Sequence, residues 1–593
     1  FRDTRYGLAL DVEYRVNENS RFFIRGAYNR FDNLGLSSSY YRIRVNKGDY
    51  LDATHVTDAR LVRSSKSRLE AITQNSYSAG GVHQFGNLGV DYTVTYNYGE
   101  EKHPDELLTD WDFADKVDLT LDLSDPVSPK WNITNMDDNL QYDPTLYTLS
   151  GVEYLFTDAT NRNIISSMNF KLPYSLGGFP SNLKFGTKVT LNHKDYIVDD
   201  WKYKWKGEGD IILDKFVSGG GATNFAEGHY KVGPLPDRDK IYDFCNAQRD
   251  KGLQGAKDLN KSLGSFFDAN ENIYAFYGMT SVHFGRLMFL GGVRYEYAKT
   301  NYEANRLFYD DEGNVSSWDK VKDKGSYGKL LPMVHLRYSP SKMTNLRVAV
   351  TRSISRPDYA QLAPYIKIDP SEQTISKGNT TLVPTTATNV DIMTEHYFRG
   401  IGVASAGFFY KKLNDIIISQ FEQLAGGLYD GYWQSQPING GEASLYGFEL
   451  NWHQELTFLP GFLSGFGIYA NYTHTWAKTE LTGREGFLPG QAGDIGNIAL
   501  SYEKGGFSAQ LSFNFQGRFI RKIGMDAAHD QYVDNYRQID FSATQKLSSS
   551  MSAFFEMFNT NNAPQYWYLG ETSRPIVKRI FSWLMRAGLK LTL

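Results

Sequence analysis

What most limits the folds open to this sequence is an alternation of apolar and polar side chains that runs for about ten positions and recurs from end to end. Phe507, Ala509, Leu511, Phe513 and Phe515 alternate with Ser508, Gln510, Ser512, Asn514 and Gln516. Leu88, Val90, Tyr92, Val94 and Tyr96 alternate with Asp91, Thr93, Thr95 and Asn97. Near the start, Tyr6, Leu8, Leu10, Val12 and Tyr14 alternate with Gly7, Ala9, Asp11 and Glu13; a polar turn at Asn17–Ser20 then leads to Phe22, Ile24, Gly26 and Tyr28. At the end Phe581, Trp583, Met585, Ala587, Leu589, Leu591 and Leu593 fall in one phase. A period of two places successive side chains on opposite faces of a strand. Strands this long exceed the ~5–6 residues usual in soluble sheets and suit a tilted crossing of a hydrocarbon layer.

The strands come in a fixed order: long strand, short turn, long strand, long polar insert. Short turns fall at Gly86-Asn87, Tyr174–Ser181, Gly285-Arg286, Pro340–Thr344, Arg399-Gly400, Leu459–Gly461 and Gly505-Gly506. Long inserts are predicted at Glu101–Thr160, Lys206–Asn270, Tyr309–Ser326, Pro357–Pro384, Ala425–Asn439 and Lys478–Pro489. Short turns on one rim and long loops on the other describe an all-β, antiparallel transmembrane barrel, with periplasmic turns and extracellular loops. About nineteen strands are visible. The first and last both descend, Ala563–Pro575 being the loop before the last. An odd count results, so the reading places at least one further strand before Phe1.

Composition agrees with a barrel and excludes other classes. Tyr and Phe number 40 and 37, far above ordinary usage, and the net charge of −4 offers no basic footprint for nucleic acid. The mean hydropathy of −0.45 looks soluble, but barrel strands average lipid-facing with lumen-facing residues. No apolar run reaches about 18 residues, the length a membrane helix needs. The one cysteine, Cys245, permits no internal disulfide and reads as an incidental thiol in a polar loop.

Several blocks of the second half, in this order, resemble the barrel of TonB-dependent outer-membrane transporters, especially the carbohydrate-associated type of Bacteroidota and proteobacteria. They are SRPDY (Ser355–Tyr359), GNTTLVP (Gly378–Pro384), NVDIMTEHYF (Asn389–Phe398), GFFYKKLNDII (Gly407–Ile417) and LYGFELNWHQELTFLPG (Leu445–Gly461). GFGIYANYTHT (Gly465–Thr475), NIALSYEKGGFSAQLSFNF (Asn497–Phe515) and FFEMFNTNNAPQYWY (Phe554–Tyr568) follow. Order and spacing agree over residues 325–593 and more loosely before. The resemblance implies a barrel of about 22 strands when complete. It implies residues 1–593 to be that barrel, with the N-terminal plug, the TonB box and the first strands absent from the sequence. It implies active uptake of a nutrient, an oligosaccharide or a ferric chelate, from the cell surface, with no cofactor. The partners it implies are TonB–ExbB–ExbD through that N-terminal region, outer-membrane lipids and lipopolysaccharide, and a surface lipoprotein or other outer-membrane subunits. The competing reading is a non-transporting barrel subunit of a larger outer-membrane complex. The terminal Leu593 departs from the family's final aromatic.

No catalytic motif is present: GxSxG, Walker, HExxH and CxxC patterns are all missing, and the chain is not read as an enzyme. Glu449 and His453 share a strand face and read as a lumenal pair. Asp310, Asp311, Glu312 and Asn314 lack EF-hand spacing and read as a solvated loop tip, as do Asp137, Asp138, Asn139 and Asp143, so no metal site is assigned. Arg352 and Arg356 are assigned no ligand role, because arginines lining a lumen also pair with wall or plug carboxylates; Pro357 and Pro384 are expected to stiffen their loop, and Gly378-Asn379 to make a tight turn. Candidate substrate contacts are the loop aromatics Tyr429, Tyr432, Trp433, Tyr566, Trp567 and Tyr568, with Trp111, Trp318 and Tyr365 in other inserts. Such rings stack on sugar C–H faces; with arginine they would hold a ferric chelate.

Overall fold

The structure, a computed structural model, describes residues 3–33, 38–219, 222–225, 228–310, 313–369, 373–481, 484–486, 488–524 and 526–591. Phe1, Asp311, Glu312 and Leu593, which entered the reading above, lie outside the described residues. Nineteen wall strands follow one another, each antiparallel to its predecessor. They are β1 (Asp3–Asn17), β2 (Ser20–Asn33), β3 (Glu70–Phe85), β4 (Leu88–Phe113), β5 (Tyr147–Leu176), β6 (Phe179–Trp205) and β7 (Phe267–Phe284). Then come β8 (Leu287–Tyr309), β9 (Val315–Ser341), β10 (Thr344–Ser355), β11 (Thr385–Tyr397), β12 (Gly402–Asn414) and β13 (Ala443–Glu455). The last are β14 (Phe466–Leu481), β15 (Asp494–Lys504), β16 (Phe507–Gln516), β17 (Tyr536–Lys546), β18 (Met551–Phe558) and β19 (Leu584–Leu591). The wall is an antiparallel β-barrel wall, with the number of strands that the alternation predicts.

Six two-residue turns and three longer ones, at 398–401, 456–465 and 547–550, close one rim, several carrying glycine at positive φ, as at Gly177, Gly178, Gly505 and Gly506, where the turn needs a left-handed backbone. The register fixes two faces. Leu8 on β1 pairs with Tyr28 and is 72% exposed; Leu511 on β16 pairs with Leu500 and is 51% exposed. These apolar side chains in phase form the outward face, which only a lipid-like environment would cover. The alternate residues face inward and are polar or small: Asn97 donates to Asn163 at 2.8 Å, and Asn497 to Asn471 at 2.9 Å.

Two predicted inserts prove to be strand. Glu101–Thr160 contains the far halves of β4 and β5, and Tyr309–Ser326 is mostly the start of β9, which begins at Val315. In β4 the alternation resumes as Leu107, Trp111 and Phe113 against Asp110 and Asp112, but Pro104-Asp105 interrupts it. Pro104 offers no N–H to the ladder, and the register with β5 shifts there. At the C-terminus the strand starts at Leu584, so Phe581 and Trp583 precede it, and Ser582 between them takes φ 60°.

Beyond the wall the loop rim has its own hydrophobic core. The ends of β4 and β5, the strand His55–Ser67 and helix α1 (Arg238–Gln248) enclose Leu61, Trp111, Tyr147, Ile241 and Cys245. Cys245 is thus on a helix, fully buried, not in a polar loop, and burial pushes its thiol up to about 12. Trp111, fully buried here, is core and not a surface contact. Asp137 and Asp143 cap short helical turns, accepting from the backbone of Asn139 and Thr145 at 2.9 Å each.

Candidate functional site: a loop canopy above a polar lumen

The loop between β10 and β11 enters the inner side of the wall. Its anchor is Arg356, whose Nη2 donates to Glu296 on β8 and whose Nε donates to Tyr327 Oη at 3.0 Å and lies 3.8 Å from Glu271 Oε1 on β7. Tyr327 and Tyr359 each reach Glu271 at 3.3 Å, and Asn192 on β6 donates to the Tyr359 hydroxyl. Glu271 and Glu296 occupy the inward phase and are 8% exposed each, so both carboxylates require these partners. Arg356 therefore pairs with wall carboxylates, as expected of it. Arg352 is instead in the outward phase with Val348 and Val350.

Pro357 leads directly into α2 (Tyr359–Leu362), an isolated helical turn held by a capping box in which Asp358 N–H donates to Gln361 Oε1 at 2.9 Å. Gly378 is needed for a different reason than a tight turn. A Cβ there would stand 1.8 Å from the Ala363 carbonyl oxygen, so the glycine permits two backbone segments to touch. Asn379 does make the local turn, accepting from Thr381 N–H at 3.0 Å, and its amide donates to Pro437 O at 2.9 Å.

From this anchor the loops join in a ring. Trp433 N–H donates to Gln373 O at 2.9 Å, tying the loop after β10 to the loop after β12. Lys522, after β16, stands over the Phe421 ring at 5.2 Å; Gly490 N–H donates to Ile520 O at 2.7 Å. Tyr532 stacks on Tyr568 at 5.3 Å, linking the last two loops, and Lys578 donates to Ser128 at 2.8 Å, reaching the core of the first loops. Asn260 donates to Ile368 O at 3.2 Å and completes the circuit.

The six candidate aromatics separate into two groups. Tyr429 and Tyr432 pack on each other at 5.4 Å in the turn before the strand Trp433–Asn439, and all three named rings there are half-buried. Tyr566, Trp567 and Tyr568 share the strand Gln565–Leu569 of a four-stranded sheet. Tyr566 and Tyr568 point to its buried face, at 8% and 2% exposure, and Tyr566 donates to Thr572 O. Trp567 takes the other face, with the guanidinium of Arg521 at 4.4 Å and that of Arg579 at 4.5 Å from its ring. Trp318 is exposed on β9, and Tyr365 is half-buried in the anchored loop.

Sequence reasoning missed Arg521, Arg579, Glu271 and Glu296. Arg521 and Arg579 lie 46 and 12 residues from Trp567, a separation only the loop sheet bridges. Both carboxylates stand in the inward phase of their strands among polar and small residues such as Ala269, Ala275, Arg294, Ala298 and Thr300, so nothing in the alternation set them apart. Glu449 and His453 do share the inward phase of β13. Where β3 leaves the loop core, Glu70, Glu101 and His103 converge, with ring Nε2 3.5 and 3.4 Å from the two carboxylates, but Arg68 Nη2 also lies 3.0 Å from Nδ1 and 3.9 Å from Glu70, a cation already beside the group.

Comparison with known proteins accords with this geometry. The sequence matches the family described as TonB dependent receptor-like, beta-barrel over residues 1–559. The structure resembles the siderophore receptor PiuA of Acinetobacter baumannii, at 11% identity and TM-score 0.53, covering 99% of this chain and 80% of that one. It also resembles the ferric-catecholate import receptor Fiu of E. coli K12 in its closed form, at 12% identity and TM-score 0.51, covering 99% and 81%. A mutant of the ferric enterobactin receptor PfeA of Pseudomonas aeruginosa aligns at 12% identity and TM-score 0.52, covering 99% and 77%. At such identity these likenesses concern the fold alone. A search of curated protein sequences gives no match. The family match, spanning most of the chain, makes it a member of the TonB-dependent receptor β-barrel family, whose barrels belong to the outer membrane.

Proposed function

We propose that this barrel takes up a nutrient across the Gram-negative outer membrane in a step driven by TonB–ExbB–ExbD, and that the nutrient is an anionic ferric chelate. The observation that carries the choice of cargo is Trp567 between Arg521 and Arg579, with Lys522 over Phe421 beside it. Guanidinium groups on aromatic faces suit an anionic ligand bearing flat rings, which gains both charge-assisted hydrogen bonds and stacking. The named neighbours, a siderophore receptor and a ferric-catecholate import receptor, accord with it.

An oligosaccharide is the second reading. It draws on the half-buried rings Tyr429, Tyr432 and Trp433 followed by Gln434, which would stack on sugar faces and bind hydroxyls. Binding by the purified protein separates the two. Arg521→Gln with Arg579→Gln is expected to weaken a ferric tris-catecholate by about tenfold or more, from the loss of charge-assisted contacts. Neutral maltooligosaccharides should show no saturable binding. Saturable oligosaccharide binding lost in Tyr432→Ala, with no chelate binding, would reverse the choice.

A further inference from the structure

The first loops bury a guanidinium that no carboxylate among the described residues pairs with. Arg63, on the strand His55–Ser67, is 1% exposed and lies at the edge of the loop-rim core. Its guanidinium stands over the Tyr41 ring at 4.1 Å and the Tyr147 ring at 5.5 Å. Its Nη2 donates to Gln141 O at 3.0 Å, and the backbone of Gly233 passes so close that a Cβ there would meet Nη2 at 3.0 Å. Its Nη1 has no hydrogen-bond partner among the described residues. Nearby Asp110 and Asp112 are taken by Arg44 and Arg60. A buried charge is costly unless an opposite charge or full hydrogen bonding offsets it. Two ring faces and one carbonyl do so only in part.

Tyr41 and Gln141, which touch Arg63, also line a cavity of about 560 Å³, a volume in the range of small-ligand sites. Trp131, Tyr142 and Tyr230 give it further half-buried ring surface. Tyr230 donates to Pro129 O at 3.0 Å, which joins the segment 230–232 to the loop bearing Trp131. Lys231 is exposed and holds its Nζ 4.3 Å from the Tyr142 ring, a second cation at the cavity's edge. Asp138, a lining carboxylate, already accepts from Gln141 Nε2 at 2.6 Å. Ring faces and unanswered positive charge therefore meet in one cavity. A bare anion would leave the rings uncovered, and an apolar ligand would leave Arg63 without a partner. A sugar bearing a carboxylate answers both, since its C–H faces stack on rings and its planar anion matches the guanidinium fork.

We infer that this cavity binds an acidic saccharide built of uronic-acid residues, one carboxylate meeting Arg63 Nη1 and the sugar faces lying on Trp131 and Tyr142. The inference goes beyond the cargo reading and does not depend on it, because none of its residues belongs to the Arg521–Trp567–Arg579 cluster. Either reading can fail without the other.

Isothermal titration calorimetry of the purified protein in EDTA tests it, with trigalacturonate, its neutral methyl ester and inorganic phosphate as probes. The wild type is expected to bind trigalacturonate saturably, about tenfold or more tighter than the ester, and to hold it against millimolar phosphate. Arg63→Gln should abolish the preference for acid over ester, whereas Trp131→Ala should weaken both probes alike. A merely structural role would not divide the two variants in this way. Should Arg63→Gln make residues 38–67 protease-sensitive, Lys231→Gln takes its place and should lower affinity for the acid more than for the ester. Arg521→Gln with Arg579→Gln should leave trigalacturonate binding intact. No saturable binding, equal affinity for acid and ester, displacement by inorganic phosphate, or unchanged binding in folded Arg63→Gln and Trp131→Ala would overturn the inference. So would one-for-one displacement of trigalacturonate by a ferric tris-catecholate, since the cavity would then belong to the cargo.

Discussion

At the scale of single residues, two buried carboxylate sites lead to predictions of opposite kinds. Arg356→Ala would leave the buried Glu271 without its cation, while Glu296 keeps Arg294 Nε at 2.7 Å. Full burial would make that cost several kcal/mol; with Arg356 27% exposed, about 1–3 kcal/mol is expected. Limited proteolysis within residues 356–384 should accelerate, and Glu271→Gln in the same chain should recover part of the loss. Asp200, at the loop end of β6, is fully buried, and burial pushes its carboxyl up to about 6 despite Lys261 Nζ at 2.8 Å. Since its folded value lies above its unfolded one, the folded state binds the extra proton between about pH 4 and 6. This group therefore favours folding below that window, and the advantage disappears as pH rises through 6. Nearby Asp258, held low by Lys202 and the Lys261 N–H, acts in the reverse sense at lower pH. Hydrogen exchange of residues 259–264, corrected for intrinsic rate, should show stronger protection at pH 5.5 than at pH 7.5. Asp200→Asn should remove that difference.

At the scale of elements, legibility followed the solvent on each face. The wall strands could be read because one face meets an apolar medium and the other a polar lumen, so Phe507–Gln516 alternates without exception. The loop-rim halves of β4, β5 and β9 could not, because there the two faces meet water, or water and a small private core, and Pro104-Asp105 and Lys320 interrupt the pattern. Cys245 was misplaced for a related reason, since α1 buries only Ile241 and Cys245 and charged or amide residues fill most of its other positions. The aromatic motif Gln565–Tyr568 was visible, but its division into a buried face and an arginine-flanked Trp567 depends on pairing with Gln531–Val533 and Pro575–Arg579. For Gly378 the letter was legible and its reason was not. Gly378→Ala is expected to cost about 2 kcal/mol or more through a backbone clash with Ala363, comparable to other overpacking changes. The loop 356–384 should become protease-sensitive while the barrel keeps its heat-modifiable mobility. Unchanged sensitivity would show that the two segments do not touch.

For the whole molecule, a wall of nineteen described strands carries loops that hold one another in a ring, with an arginine–tryptophan cluster on one of the loop sheets. Membership of the TonB-dependent receptor family and the cation-rich loop sheet lead to one central claim: energised import of an anionic ferric chelate. The most direct measurement is uptake of radiolabelled iron, supplied as a ferric catecholate chelate, by cells lacking their own copy of this protein and complemented with it. The account predicts accumulation that needs the complementing gene and intact Arg521 and Arg579, and that stops when TonB is deleted or the proton gradient is collapsed. Iron accumulation equal in complemented and uncomplemented cells, together with growth of only the complemented cells on an oligosaccharide as sole carbon source, would contradict it.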